Sequence, residues 1–229
     1  MAASVKSQED PRFPDRLIEA AVRLYGRHGL EGVSLRRISQ EAGNGNNNAV
    51  QYHFGSLDGL IRAILTKYTP MLEFERARRL AALRSDGAPP TLDLVDILAR
   101  PVLDLVDENG ERAFARFMLS LVSTPAGARH LVTFQNLLPI SDQIIRMIGE
   151  GAPTIPPELL RERLRLVGIM ILVSVFNRLE PYNTQDVLDD ALIDHAIRIA
   201  AAAVVDPLAP AMRGRLEGYR ANPEIRPDA

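Results

Sequence analysis

Apolar residues recur at helical spacing along most of this 229-residue chain, and this pattern constrains the fold more than any other feature. In the first such segment, Leu17, Ala21 and Leu24 stand three and four positions apart, so a helix would place them on one face. No segment alternates apolar and polar residues as a half-buried strand does, and no internal repeat is found. We therefore expect an all-α protein.

Glycine and proline divide this pattern into separate helices. Ser34 is suited to cap the second helix and Gly43 to end it, while Pro70 should kink a long fourth helix. The predicted helices cover 15–28, 35–42, 46–54, 57–84, 91–108, 111–124, 129–148, 157–179 and 184–205.

Three segments follow from this division. We expect a three-helix, helix-turn-helix head over 13–60, and a larger helical ligand-binding and dimerisation domain over 61–206. Proline, glycine and charged residues prevail over 207–229, which we expect to be a disordered tail.

Charge is distributed unevenly between the two halves of the chain. Residues 1–84 hold 13 Lys and Arg against 9 Asp and Glu, whereas residues 85–229 hold 14 against 20. A basic head on an acidic body suits DNA binding by the head alone, although two solvated surfaces of unlike charge are an equally common explanation. No cysteine is present, which excludes disulfides and thiolate metal sites. The longest apolar run, 166–176, is far short of the ~20 residues of a membrane span, and we expect a cytoplasmic protein.

The third predicted helix has the chemistry of a DNA-reading element. Two short helices joined by a glycine-containing turn and packed on a first helix form a helix-turn-helix, whose second helix enters the major groove. Asparagine and glutamine amides pair with adenine edges, a small residue allows approach to a thymine methyl, and arginines reach phosphates. On these grounds the candidate DNA-contacting residues are Arg36, Arg37, Asn46, Asn47, Asn48, Ala49, Gln51, Tyr52 and His53.

The asparagines have a second interpretation, because an Asn-Gly-Asn-Asn-Asn run is also typical of a solvated loop. Flanking helices of suitable length favour the reading element over the loop.

Together these segments resemble the TetR family of bacterial regulators. The resemblance covers about residues 15–65, through the segments 17–25, 29–38, 42–43 and 52–60. It implies that Ser34 and Arg36 contact phosphate and base from the second helix. It further implies that Asn47, Asn48, Ala49, Gln51, Tyr52 and His53 face DNA from the third.

Two departures from the family pattern bear on these contacts. The turn over 43–46 is one residue longer than usual, which leaves the register of the asparagines open. Gln51 and Leu57 stand where the family often has a tyrosine and a lysine, and both changes should weaken contacts to the DNA backbone.

The resemblance also implies a function and an assembly. It implies a repressor on double-stranded, palindromic operator DNA, released by an unknown small-molecule effector. The helix predicted over 157–179 is apolar nearly all round from Leu166 to Phe176, so it must be buried. An intramolecular core would bury it, whereas the resemblance implies that 157–179 and 184–205 pair with their copies in a homodimer. A dimer would also place two reading helices one turn of DNA apart.

The middle helices carry aromatic and methionine side chains with a few polar groups among them, as a small-molecule pocket does. Ordinary core packing is the alternative explanation for each residue. The aromatic and methionine content suggests an apolar effector. The candidate pocket residues are Phe114, Phe117, Met118, Leu121, Phe134, Leu137, Ser174 and Asn177.

Two other classes of protein compete with a regulator. An enzyme is not indicated, because the four histidines are far apart and neither a phosphate loop nor a nucleophile motif is found. We expect no metal and no cofactor. The second rival is an all-helical dimeric adaptor or small-molecule-binding protein that does not bind DNA, and changes on the surface of the third helix would distinguish it.

Overall fold

The structure, a computed structural model, describes residues 12–43, 48–83, 87–133, 138–176, 187–209 and 214. Over these ranges the chain is built from helices and contains no strand, which confirms the all-α expectation.

Three helices form the head: α1 (Phe13–His28), α2 (Leu35–Glu41) and α3 (Ala49–Phe54). The Ser34 hydroxyl accepts a hydrogen bond from the Arg37 backbone N–H at 3.2 Å and so caps α2, as predicted. Gly43 follows α2 with a φ of 78°, in the left-handed region that favours glycine. The helix α3 begins three residues later than expected, because Asn48 lies in a turn.

The head connects to the body through one long helix, α4 (Leu57–Ala82). The Ser56 hydroxyl caps it by accepting from the Gly59 N–H at 3.1 Å. The helix continues past Pro70, and the kink expected there stays a prediction.

In the described part of the body, six further helices follow: α5 (Thr91–Asp104), α6 (Ala113–Val122), α7 (Pro125–Thr133), α8 (Pro139–Gly151), α9 (Pro157–Phe176) and α10 (Val187–Val204). The single helix predicted over 129–148 is wrong, because α7 and α8 are separate. Pro125 opens α7 and Pro139 opens α8, since proline suits the first turn of a helix and cannot donate a hydrogen bond within a preceding one.

Two apolar cores lie in this arrangement, and α6 contributes to both. The first joins α1–α4 to Phe117 and Leu121 of α6, while the second joins α5, α8, α9 and α10. The head therefore packs directly on the body, across the boundary expected at residue 60.

The contact between α1 and α6 is close enough to need a glycine. A Cβ placed on Gly26 would lie 2.9 Å from the Cβ of Arg116 and 3.1 Å from the carbonyl oxygen of Ala113. At the other end of the chain, Leu208 is buried although it falls in the predicted disordered tail. The prediction is therefore wrong at that residue, and nearly all of the remaining tail lies outside the described residues.

Candidate DNA-binding face and ligand cavity

The helix α3 has one buried and one exposed face. Ala49 and Val50 are fully buried, whereas Asn48 and Gln51 are exposed and Tyr52 is 72% exposed. The expectation that Ala49 approaches a thymine methyl is wrong, because its side chain packs into the head core instead. Asn48, Gln51 and Tyr52 remain as candidate groups for base or backbone contact. Asn46 and Asn47 lie outside the described residues.

His53 is held against the head rather than free in solvent. Its ring lies 5.5 Å from that of Phe13 in α1 and 4.9 Å, edge-on, from that of Tyr52. Its ring is therefore packed between α1 and Tyr52, and its contact with DNA stays a prediction.

The helix α2 places its predicted cations at the surface. Arg36 and Arg37 are exposed, and an Arg37 guanidinium nitrogen lies 3.0 Å from Nε2 of His28 at the end of α1. With the exposed Ser34 at the start of α2, these side chains form a polar edge of the head, where phosphates would be met.

Ion pairs fix the head on α4. The Lys67 ammonium donates to Asp15 and to Glu19 of α1, both at 3.0 Å. Partial burial lowers the pKa of Lys67, but the two carboxylates outweigh that effect and leave the pKa raised. The position of α4 and that of the head are therefore coupled.

A cavity of about 540 Å³ lies in the body, lined by residues of α4–α9. Phe114 and Met118, both predicted as pocket residues, line it. Its apolar wall continues through Leu65, Leu72, Val95, Leu98, Ala99, Val102, Leu103, Val122, Ile145, Leu164, Val167, Ile169, Ile171 and Leu172.

Other predicted pocket residues lie elsewhere. Phe117 and Leu121 do not line this cavity, because both are fully buried in the core between α6 and the head. Ser174 does not line it either, and its hydroxyl donates to the Ile171 carbonyl at 2.7 Å. Phe134, Leu137 and Asn177 lie outside the described residues.

A buried polar cluster closes one end of the cavity. The Arg76 guanidinium donates to the Glu73 carboxylate at 3.1 Å, to the Ser141 hydroxyl at 3.1 Å and to the Leu98 carbonyl at 2.8 Å. The Ser141 hydroxyl donates to Glu73 at 2.5 Å. Glu73 also accepts from the Ile140 and Ser141 N–H groups at 2.8 and 3.2 Å, which caps α8. Burial lowers the pKa of Arg76, and the neighbouring carboxylate opposes that shift.

This cluster was not predicted from the sequence, although one signal for it was present. Leu65, Thr69, Leu72 and Arg76 follow helical spacing along one face of α4, so an arginine stands on a buried and otherwise uncharged stripe. A charged residue at such a position requires a partner, and Glu73 is one turn away.

Two helices of the body present an exposed apolar stripe. Leu166, Met170 and Val173 repeat at helical spacing on α9 with exposures of 51%, 37% and 36%, and Ile199 on α10 is also exposed. A helix that is apolar on its solvent side as well as its core side is typical of an interface.

Neither a membrane span nor a metal site is found in the described part of the chain. No helix there is long and apolar enough to cross a membrane. No group of three or more histidine, cysteine, aspartate or glutamate side chains is placed there to hold a metal ion.

Comparison with known proteins agrees with this architecture. Residues 17–64 match a family model described as bacterial regulatory proteins, tetR family. Residues 96–203 match one described as the tetracyclin repressor-like, C-terminal domain. The HTH-type transcriptional repressor NicS of Pseudomonas putida KT2440 is 30% identical over 95 residues, which is 42% of each chain, so less than half of that relative is matched.

Solved structures share the fold at low identity. A TetR-family bacterial regulatory protein from Rhodococcus RHA1 is 16% identical, with a TM-score of 0.52 over 83% of this chain and 98% of that one. A candidate transcriptional regulator from Pseudomonas aeruginosa PAO1 is also 16% identical, with a TM-score of 0.50 over 94% and 96%.

A helix-turn-helix head on a helical body defines the class of DNA-binding transcriptional regulators. With both its head and its body matched by models of one family, the chain belongs to the TetR family of bacterial regulatory proteins.

Proposed function

We propose that this chain is a homodimeric repressor that binds a palindromic DNA operator and leaves it when a small, mainly apolar ligand enters the cavity. The family membership supports DNA binding by the head, and the relative NicS is itself a transcriptional repressor.

The observation that carries the proposal is that one helix serves both sites. Only two residues separate the end of α3 from the start of α4, and α4 holds α1 through Lys67. Further along, Leu65, Thr69, Leu72 and Arg76 of the same helix line the cavity. A ligand that favours another position of α4 therefore changes the position of the reading helix, and this differential binding is what an allosteric effector requires.

The exposed stripe on α9 and α10 supports the dimer. Pairing this stripe with its copy buries Leu166, Met170 and Val173, which removes apolar surface from water. It also presents two heads at a fixed spacing, as a palindromic site needs.

Selection of DNA from a random library by the purified full-length protein tests the proposal. We expect an enriched palindrome, bound more tightly than scrambled duplexes in titrations at fixed salt. Enrichment of no sequence would contradict DNA reading and favour a helical adaptor. An enriched site whose binding is unaffected by a broad screen of apolar metabolites would contradict the ligand-release step alone.

A further inference from the structure

The charges around the cavity constrain the ligand. Three arginines line it, Arg76, Arg161 and Arg165, and three carboxylates accompany them, Asp142, Glu158 and Glu162. The lining therefore carries no net formal charge, although it includes six ionisable side chains.

At the rim, two of the arginines pair with carboxylates. Arg165 donates to Glu162 at 2.6 and 2.9 Å, and Arg161 lies 3.5 Å from Asp142. These side chains are partly exposed, so water also screens them. These two pairs are each balanced in charge, and Glu158 adds one further carboxylate to the lining.

At the buried end of the cavity, positive charge is neutralised more completely. Arg76 is the cation there, and its guanidinium already faces the Glu73 carboxylate, which stands behind the cavity wall. A ligand carboxylate that paired with Arg76 would lie close to a second carboxylate in a largely buried position. Like charges placed so close oppose each other strongly, and the ligand would also lose its hydration.

A neutral polar group meets no such cost at this end. The hydrogen bonds described for Arg76 use four of its five N–H hydrogens, and one Nη2 hydrogen is left for a ligand carbonyl. Ser141 and Thr69 add hydroxyl oxygens to the same lining. An uncharged amide, ketone or alcohol could therefore be bound without disturbing the Glu73–Arg76 pair.

We propose that the effector is an uncharged, mainly apolar molecule whose polar group accepts a hydrogen bond from Arg76, and that Glu73 makes the cavity reject carboxylates. This inference rests on the ligand-release function proposed above and specifies the chemical class of its ligand.

Three probes of matched shape test it: 4-hexylbenzamide, 4-hexylbenzoate and 4-hexylbenzamidine, which are neutral, anionic and cationic at pH 7. Calorimetric titration into the full-length protein should give the tightest binding for the benzamide, with the benzoate weaker by about tenfold or more. Benzoate or benzamidine binding as tightly as the benzamide, or no binding of any probe, would overturn the inference.

The variant Glu73→Gln tests whether the charge of Glu73 causes the rejection of carboxylates. It removes the negative charge behind Arg76 while leaving an amide oxygen that can still cap α8, so benzoate affinity should rise relative to benzamide. Glu75→Gln is the matched control, because Glu75 pairs with Arg78 and Arg79 outside this cavity, and it should leave the ratio unchanged. An unchanged ratio in folded Glu73→Gln also overturns the inference. If that variant fails to fold, the three probes on the unaltered protein decide the matter alone.

Operator binding, measured in parallel by fluorescence anisotropy, separates the two proposals. Intact operator binding together with preferred benzoate binding overturns the neutral-ligand inference and leaves the repressor function standing. Loss of operator binding in the unaltered protein overturns the function itself.

Discussion

Tyr25 provides a sharp test of the packing between the head and α6. Its side chain is fully buried, its ring centroid lies 6.3 Å from that of Phe117, and its hydroxyl has no hydrogen-bond partner in the described part of the chain. Burying an unpaired hydroxyl costs about 1–3 kcal/mol relative to water. The substitution Tyr25→Phe keeps the ring and removes that cost, while the space left by one oxygen offsets part of the gain.

We expect Tyr25→Phe to raise the free energy of unfolding by about 1–2 kcal/mol at pH 7. For a chain of this length that corresponds to a melting temperature about 2–8 °C higher. Urea titrations at equal protein concentration would measure it, because the stability of a dimer depends on concentration. Tyr52→Phe is the matched control, since that ring is exposed on α3 and its hydroxyl is already in water.

The same residue predicts a dependence on pH. Burial raises the pKa of Tyr25 above its ordinary value, so the unfolded chain loses this proton at a lower pH than the folded one. The contribution of the Tyr25 proton to the free energy of unfolding is therefore fully present below about pH 10. It is lost as pH rises further, by up to about 1.4 kcal/mol per pH unit. The advantage of Tyr25→Phe should thus widen between pH 9 and 10.5. A variant that is instead destabilised by about 1 kcal/mol or more at pH 7 would refute the argument, because it would reveal a hydrogen bond to the hydroxyl.

Two further predictions concern DNA and assembly. Gln51→Ala should cost about 1–3 kcal/mol on the selected operator and little on scrambled DNA. Arg37→Ala should weaken binding to all duplexes and lower the slope of log affinity against log salt concentration by about one. Binding isotherms at several salt concentrations test both variants. Unchanged operator affinity in Gln51→Ala would count against α3 as the reading helix. Leu166→Glu places a charge in the exposed stripe and should convert a dimer to a monomer in light scattering at micromolar concentration, whereas a persisting dimer would mean that other surfaces pair the chains.

The head could be read from the sequence because its signals are local. Ser34 caps α2 through its hydroxyl and Gly43 ends it through its left-handed backbone, and the structure places both as expected. The face on which Ala49 lies was predicted wrongly, because the sequence placed the start of α3 three residues too early. A start three residues later leaves Ala49 among the first helical residues, on the buried side.

The body was harder to predict because its site depends on packing between distant segments. Phe114 and Phe117 are one turn apart on α6, yet only Phe114 lines the cavity, because α1 covers the other face. The contact of Glu73 with Ser141 joins residues 68 positions apart, and periodicity carries no information about such a pair. The division between α7 and α8 was predictable from Pro139, which the apolar periodicity of 129–148 outweighed.

The close approach of Gly26 to α6 limits how this protein can be recombined. In this protein, the missing side chain of Gly26 leaves room for the Ala113 carbonyl and the Arg116 side chain of α6. A chimera that joins its first 60 residues to another regulator's body would set α1 against a foreign α6 with different residues at this contact. Exchanging reading heads between relatives should therefore succeed only when α6 is transferred together with α1, or when the α6 of the recipient packs on α1 equally closely. The sequence span that has to be inherited as a unit is thus longer than the DNA-binding motif itself.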